Sequence, residues 1–168
     1  PASPQIAPTP DALVLDLPPL PGAEEDARPL AAVFAAPWLG AHAIYAGAEE
    51  TLRGTANLPA RVGELIWPLW PGPVDRWDDG NRVRVKFSAG VFASVTREAL
   101  LNGANAFAIE GGDGAWEIVQ ARACVLVAPD EYELSGFLRA RQGTAHAMGA
   151  PHPAGARVGR SEERRVGK

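Results

Sequence analysis

The clearest pattern in the chain is Asn81 to Phe87, "NRVRVKF", where Val83, Val85 and Phe87 alternate with Arg82, Arg84 and Lys86. A period of two sends successive side chains to opposite faces of a strand, so one face belongs to a core and the other to water. The same alternation runs through "EYELSGFLR": Tyr132, Leu134, Gly136 and Leu138 fall on one face, Glu133, Ser135, Phe137 and Arg139 on the other. Further strands are expected in "ALVLDL" (Ala12 to Leu17), "LAAVFAAPW", "AHAIYAG", "VFASV" across Ala89-Gly90, "NAFAIE", "AWEIVQ" and "ARACVLVA". "NAFAIE" and "AWEIVQ" flank "GGDG" and form a hairpin. "ARACVLVA" pairs with "YELSGFLR" across Ala128-Pro129-Asp130-Glu131, where proline and aspartate suit a type I turn. Only "TREALLNG" reads as helix, with Thr96 as N-cap and Gly103 placed for a left-handed C-terminal cap.

Roughly eight to ten short strands with one short helix predict a mainly β fold, an antiparallel sandwich or open barrel. The chain has 168 residues, enough for one domain with a core and ragged ends. Pro1 to Pro10 contains four prolines and reads as an extended linker from something upstream. The expected division is therefore a linker over 1–11, a β domain over 12–156 and a disordered tail over 157–168. "PPLPGAEEDARP" after the first strand reads as a loop with a solvated acidic cluster.

Charge sharpens this picture. The net charge is −4, but Arg157 to Lys168 holds five basic and two acidic residues, leaving 11 basic and 18 acidic residues before it, a balance of −7. An acidic body argues against nucleic acid as a partner. No apolar run approaches the ~20 residues needed to span a bilayer, and no secretory leader is evident, so the expectation is no membrane insertion. Cys124 is the single cysteine, which excludes a disulfide within the monomer and reads as a small buried hydrophobe.

Candidate chemistry is sparse. Trp67, Trp70 and Trp77 lie close in "IWPLWPGPVDRWDDGN", beside Asp75, Asp78, Asp79 and Asn81; stacking aromatics with hydroxyl-binding carboxylates would make a glycan platform, against the reading of core and rim aromatics. The aspartates lack the alternation of a calcium loop. His146, Met148 and His152 have no metal-site spacing and read as solvent-exposed loop residues. His42 stands alone in a strand. "ELSG" lacks the glycine of a nucleophile elbow, and "GGDG" lacks the lysine of a phosphate loop. No catalytic residue, cofactor or metal is assigned, and the module is read as no enzyme.

From Pro18 to about Val158 the sequence resembles the C-terminal region of the multidomain baseplate and tail-hub protein of gene transfer agents and long-tailed phages. The resemblance is carried by "LPPLPG", "FAAPWLG", "RWDDGNRVRVKFSAGVFASV", "LLNGANAFAIE", "AWEIVQARACVLVAPDEYELSGFLRARQGT" and "HPAGARV", in that order. It implies a structural β module of a phage-like tail, homotrimeric in the full-length protein, partnered by other tail proteins, made in the bacterial cytoplasm and resident in the particle. The alternative is a carbohydrate-binding module for host surface glycans. The sequence departs from the family at Ala140, where glycine usually follows the leucine-arginine pair. "SEERRVGK" resembles a run found at the ends of unrelated translated sequences, and that likeness implies an adapter-derived artefact.

Two arginines then need roles. A strand ending at a tight turn leaves carbonyls unpaired, and a guanidinium can serve such carbonyls and a carboxylate together. Arg139, at the family position, is expected to fasten the strand end with Gly143 and Thr144, using Glu110 or Glu117 as partner; Arg141 is expected to be mostly solvated. If Ala140 is forced into the left-handed region that the usual glycine permits, Ala140→Gly should stabilise; if it is not, glycine should destabilise.

Overall fold

The computed structural model describes residues 8–15, 17, 18, 30–148 and 150–160. Its strands are β1 (Asp11–Leu15), β2 (Leu30–Phe34), β3 (His42–Ala46), β4 (Thr51–Ala56), β5 (Val62–Leu65), β6 (Trp77–Phe87), β7 (Ala106–Glu110), β8 (Trp116–Ala128), β9 (Glu131–Arg141) and β10 (Arg157–Arg160). One helix, α1 (Arg97–Leu101), and a 3-10 turn over Thr144–Met148 complete the set. The fold is mainly β and antiparallel with one short α-helix. Six strands close into a barrel in the order β10-β5-β6-β9-β8-β7, sealed where β10 pairs with β7.

The barrel interior is filled from the alternating positions. Val83, Val85 and Phe87 of β6 meet Phe107 and Ile109 of β7, Val119 and Ala121 of β8, and Tyr132, Leu134 and Phe137 of β9. Phe87 stacks on Phe92 with centroids 4.0 Å apart, and Tyr132 meets Phe92 edge-on at 5.2 Å. Such pairs add about 0.5–1.5 kcal/mol each beyond the area they bury.

Phe137 shares the interior with Tyr132 and Leu134, although a strict period of two would put it on the opposite face. β8 changes face at the same height, with Cys124 inside and then Ala121 and Val119. Gly136 allows the bend: its φ is +66°, a conformation that L side chains rarely adopt. On the other side β6 spends five residues, Asp78 to Arg82, where β9 spends three, Phe137 to Ser135. The bulge keeps Asp78 opposite Phe137 and so on the inner face. From this bend onward Arg139 follows Phe137 inward.

β1 and β2 form a separate antiparallel pair laid over the outside of the barrel. Leu13, Leu15 and Leu17 pack with Ala32 on Ala108, Trp116 and Ile118, which face away from the interior. β3 and β4 form a second, exposed hairpin. α1 is capped as read, the Thr96 side chain accepting from the Ala99 N–H and Gly103 taking φ +97°.

Several elements differ from the sequence reading. "AWEIVQ" and "ARACVLVA" are one continuous strand, β8. Val91 to Val95 is extended but no strand; the Ser94 hydroxyl and the Val95 N–H bond to Cys124 and Arg122 instead, and Phe92 turns into the core. "LAAVFAAPW" holds β2, which pairs with β1, and "AHAIYAG" holds β3, which pairs with β4. The tail does not begin at 157. Arg157–Arg160 is the strand that closes the barrel, with Val158 fully buried, because Gly159 and Val158 complete a ladder between β5 and β7. Residues 161–168 lie outside the described residues, as do residues 1–7 of the linker and 19–29 of the acidic loop; Asp11 already belongs to β1.

A chain ending at Ala156 lacks the strand that joins β5 to β7. It is expected to lose the cooperative thermal transition monitored by circular dichroism, and a transition retained within a few degrees of the intact chain would remove β10 from the fold's requirements.

Candidate functional site

The bend in β8 and β9 brings three charged side chains to one end of the barrel interior. Arg139 is 2% exposed and ranks among the largest fully buried side chains; Glu117 and Asp78 are buried with it. Its Nε and Nη2 donate in parallel to Glu117 Oε1 and Oε2, both at 2.9 Å. Its Nη1 donates to Asp78 Oδ2 at 3.1 Å and to the Trp70 carbonyl at 2.8 Å. The bidentate fork matches the planar carboxylate, and the remaining donor edge serves a strand-external carbonyl and a second carboxylate.

Glu117 is correspondingly saturated. Oε1 also accepts from the Ala140 N–H at 3.0 Å, and Oε2 lies 2.6 Å from His152 Nε2. His152 Nδ1 faces the Glu110 carbonyl at 2.9 Å. Each ring nitrogen of His152 thus lies within hydrogen-bond distance of an oxygen. Burial pushes the Glu117 carboxyl upward, but the hydrogen bonds from His152 and Arg139, the Arg139 charge and the Ala140 N–H outweigh it and hold the group below the usual carboxylate value.

The backbone around this cluster is shaped to it. Ala140 has φ +50° and Gln142 φ +56°, and Gly143 follows at φ +76°. The left-handed residue at 140 puts an extra residue into β9, so that Ile118 pairs with Arg141 while Gln120 pairs with Leu138. Thr144 repairs the ladder: its hydroxyl accepts from the Ile118 N–H at 2.9 Å and donates to the Arg141 carbonyl at 2.7 Å. Gly72 covers the cluster so closely that a Cβ there would collide with the Asp78 carboxylate and reach within 3.0 Å of Arg139 Nη1.

Other residues read from the sequence fall elsewhere. Glu110, the second candidate partner of Arg139, instead holds Arg157 through two 2.7 Å bonds. Arg141 is half-buried and donates to Gln120 Oε1 at 3.0 Å; Gln120 in turn donates to the Leu100 carbonyl in α1 and the Ala104 carbonyl after it. His152 is not a solvent-exposed loop residue: its ring is enclosed between Glu117 and β7, and the Leu69 N–H and carbonyl pair with its backbone. Its role was invisible in the sequence because only the return of the chain after the 3-10 turn brings it to Glu117. Asp78 is likewise withdrawn from any surface role, bonding Arg139 and the Asn81 backbone and side-chain amides.

The three tryptophans do not form one platform. Arg84 lies over the Trp67 ring at 4.4 Å; Arg97 lies over Trp77 at 4.7 Å and Arg122 at 5.8 Å. Arg84 pairs with Glu133 and Trp77 with Leu138 along β9, five residues apart, roughly 17 Å at strand rise. Trp70 keeps 60% exposure. Cys124 lies in the core, and burial pushes its thiol up to about 12, so it is not a thiolate at neutral pH. Among the described residues, no group of three or more His, Cys, Asp or Glu side chains could hold a metal, and no helix is long and apolar enough to cross a membrane.

A closed antiparallel barrel locked at one end by a solvent-shielded ionic cluster defines a small β-barrel module. Residues 60–159 match the family model described as Rcc01698-like, C-terminal, and the chain belongs to that family. The matched span starts just before β5 and ends within β10, so it is the barrel itself, without β1 to β4. No match was found among curated proteins.

Truncating Arg139 would leave Glu117 and Asp78 buried without their cation. Arg139→Ala is expected to cost about 3–5 kcal/mol in denaturant melts, and Arg141→Ala less than ~1 kcal/mol; equal effects would remove the fastening role. Ala140→Gly relieves a left-handed alanine and is expected to stabilise by roughly 1 kcal/mol. The folded Glu117 value is depressed, so its contribution is complete above the ordinary carboxylate range and lost as pH falls through the folded value. Melting temperature should therefore drop as pH is lowered below 4.5, the unperturbed value. A flat profile between neutral pH and pH 3 would contradict the assigned ion pairing.

Proposed function

We propose that this chain is a structural module of the tail or baseplate of a phage-like particle, part of the tail-hub protein of a gene transfer agent or prophage, acting by assembly and positioning. The observation that carries the proposal is the closure of the ionic cluster. The guanidinium of Arg139 and both oxygens of Glu117 are engaged inside the barrel, and no side chain of the pair reaches solvent. Such a cluster is suited to locking a fold, since a substrate has no approach to it. The sequence resemblance set out above supplies the particle, and the family assignment to the barrel is compatible with a module that recurs as a unit. In this reading the partners are other tail and baseplate proteins, the full-length protein is a homotrimer, and the site of action is the particle tail after synthesis in the bacterial cytoplasm.

Glycan binding retains one supporting observation, the exposed Trp70 ring. The arginines over Trp67 and Trp77 argue against it, because a sugar would have to displace a cation from each ring.

Particles purified from a producing strain are expected to contain the chain in a fixed ratio to other tail proteins, measured by quantitative mass spectrometry. The purified module should release no sugar from peptidoglycan in proportion to its concentration. Absence from particles, or proportional sugar release, overturns the assembly reading.

A further inference from the structure

The outward positions of β6, β9 and β8 carry a charge that the composition conceals. The protein is acidic overall, at −4. Yet Arg82, Arg84 and Lys86 on β6 alternate with the interior residues Val83, Val85 and Phe87 and so face outward, and Arg122 does the same on β8 beside interior Ala121. β9 contributes Glu131 and Glu133 between them. Glu133 is already occupied by Arg82 at 3.0 Å and Arg84 at 4.0 Å. Arg122 and Arg97, the first residue of α1, have no carboxylate within 4.0 Å among the described residues, and both lie over Trp77.

This stack is built into the strands. Trp77 stands opposite Leu138 on β9, and the backbone of Gly136 passes beneath the Arg122 side chain. A Cβ on Gly136 would lie 3.3 Å from Arg122 Cβ and Nε. The glycine that bends β9 thus also gives Arg122 a flat bed across the strand toward the indole. The ring holds the aliphatic and π faces of the two guanidiniums and leaves their donor edges free. Val125, outward on β8 opposite Glu133, adds an apolar side chain that is 53% exposed.

We infer that this outward face of β6, β9 and β8, centred on Arg97, Trp77 and Arg122, is a docking surface for an acidic protein segment whose carboxylates are taken by the two arginines. Tryptophan and arginine are the residues on which interface energy concentrates, and a rim of mixed charge fixes register. The charge pattern selects this partner over nucleic acid. A duplex presents one negative charge every ~1.7 Å, and it would meet Glu131 and Glu133 in the middle of the surface as well as a net-negative protein. An acidic segment of limited length can place its carboxylates at Arg97 and Arg122 alone. The assignment rests on the reading of the chain as an assembly module and specifies the chemistry of one partner.

The test is binding of a fluorescein-labelled decaglutamate peptide to the intact chain at low salt, followed by anisotropy. A fixed-length DNA duplex and polygalacturonate at equal charge concentration serve as comparators. Expected results are binding of the peptide, at least tenfold weaker binding of both comparators, and at least a tenfold loss in the R97Q/R122Q double variant. Arg53→Gln on the exposed β4 should change nothing. In NMR titration the Trp77 indole and Gly136 amide should shift first. R122Q alone, whose side chain lies on the surface, should lose at least threefold and serves if the double variant melts early. No peptide binding, equal binding by the variants, tighter binding of either comparator or shifts centred elsewhere overturns the assignment. Particle incorporation is measured separately, so such a failure is distinguishable from failure of the assembly reading.

Discussion

The bidentate pair between Arg139 and Glu117 is the constraint around which this barrel is arranged. Two charges without solvent contact are unfavourable unless nearly every donor and acceptor finds a partner. That requirement accounts for the surroundings: Asp78 and the Trp70 carbonyl take the last guanidinium edge, while His152 and the Ala140 N–H complete the carboxylate. The partners come from β6, β8, β9 and two connecting segments. The cluster therefore adds side-chain ties between strands that their hydrogen-bond ladders already join.

Irregularities that would count as defects in a regular sheet are what deliver these groups. Gly136 turns Phe137 and Arg139 inward, and the bulge in β6 turns Asp78 to meet them. The left-handed Ala140 adds a residue to β9, and Thr144 satisfies the N–H that this insertion leaves without a ladder partner. Backbone strain at Ala140 is tolerated because its own N–H is fixed by Glu117. Gly136, which bends β9, also lies beneath the Arg122 side chain on the outside of the barrel.

Much of the fold was legible as period. The outward arginines and inward valines of β6, the two hairpins around β8 and the capped helix follow from local alternation and turn chemistry, which depend on neighbours a few residues apart. Arg139, Gly143, Thr144 and the choice between Glu110 and Glu117 could be named because they sit at a broken pattern. Closure of the barrel by Arg157–Arg160 could not, since a four-residue strand in a basic stretch has too little period to stand out.

The sequence by itself determined that the chain is a β module, that β6 has one dry face, and that the pattern of β9 breaks at Arg139. The tertiary structure alone decided which face each residue takes beyond Gly136, that Glu117 rather than Glu110 receives the guanidinium, and that His152 is enclosed. The physical reason is that alternation is a local rule while bulges reset it. A single inserted residue exchanges inside for outside along the rest of a strand, and only the assembled ladder records where the exchange occurs. Charge pairing across 22 and 35 positions of sequence obeys no period at all; it is fixed by which strands become neighbours once the barrel closes.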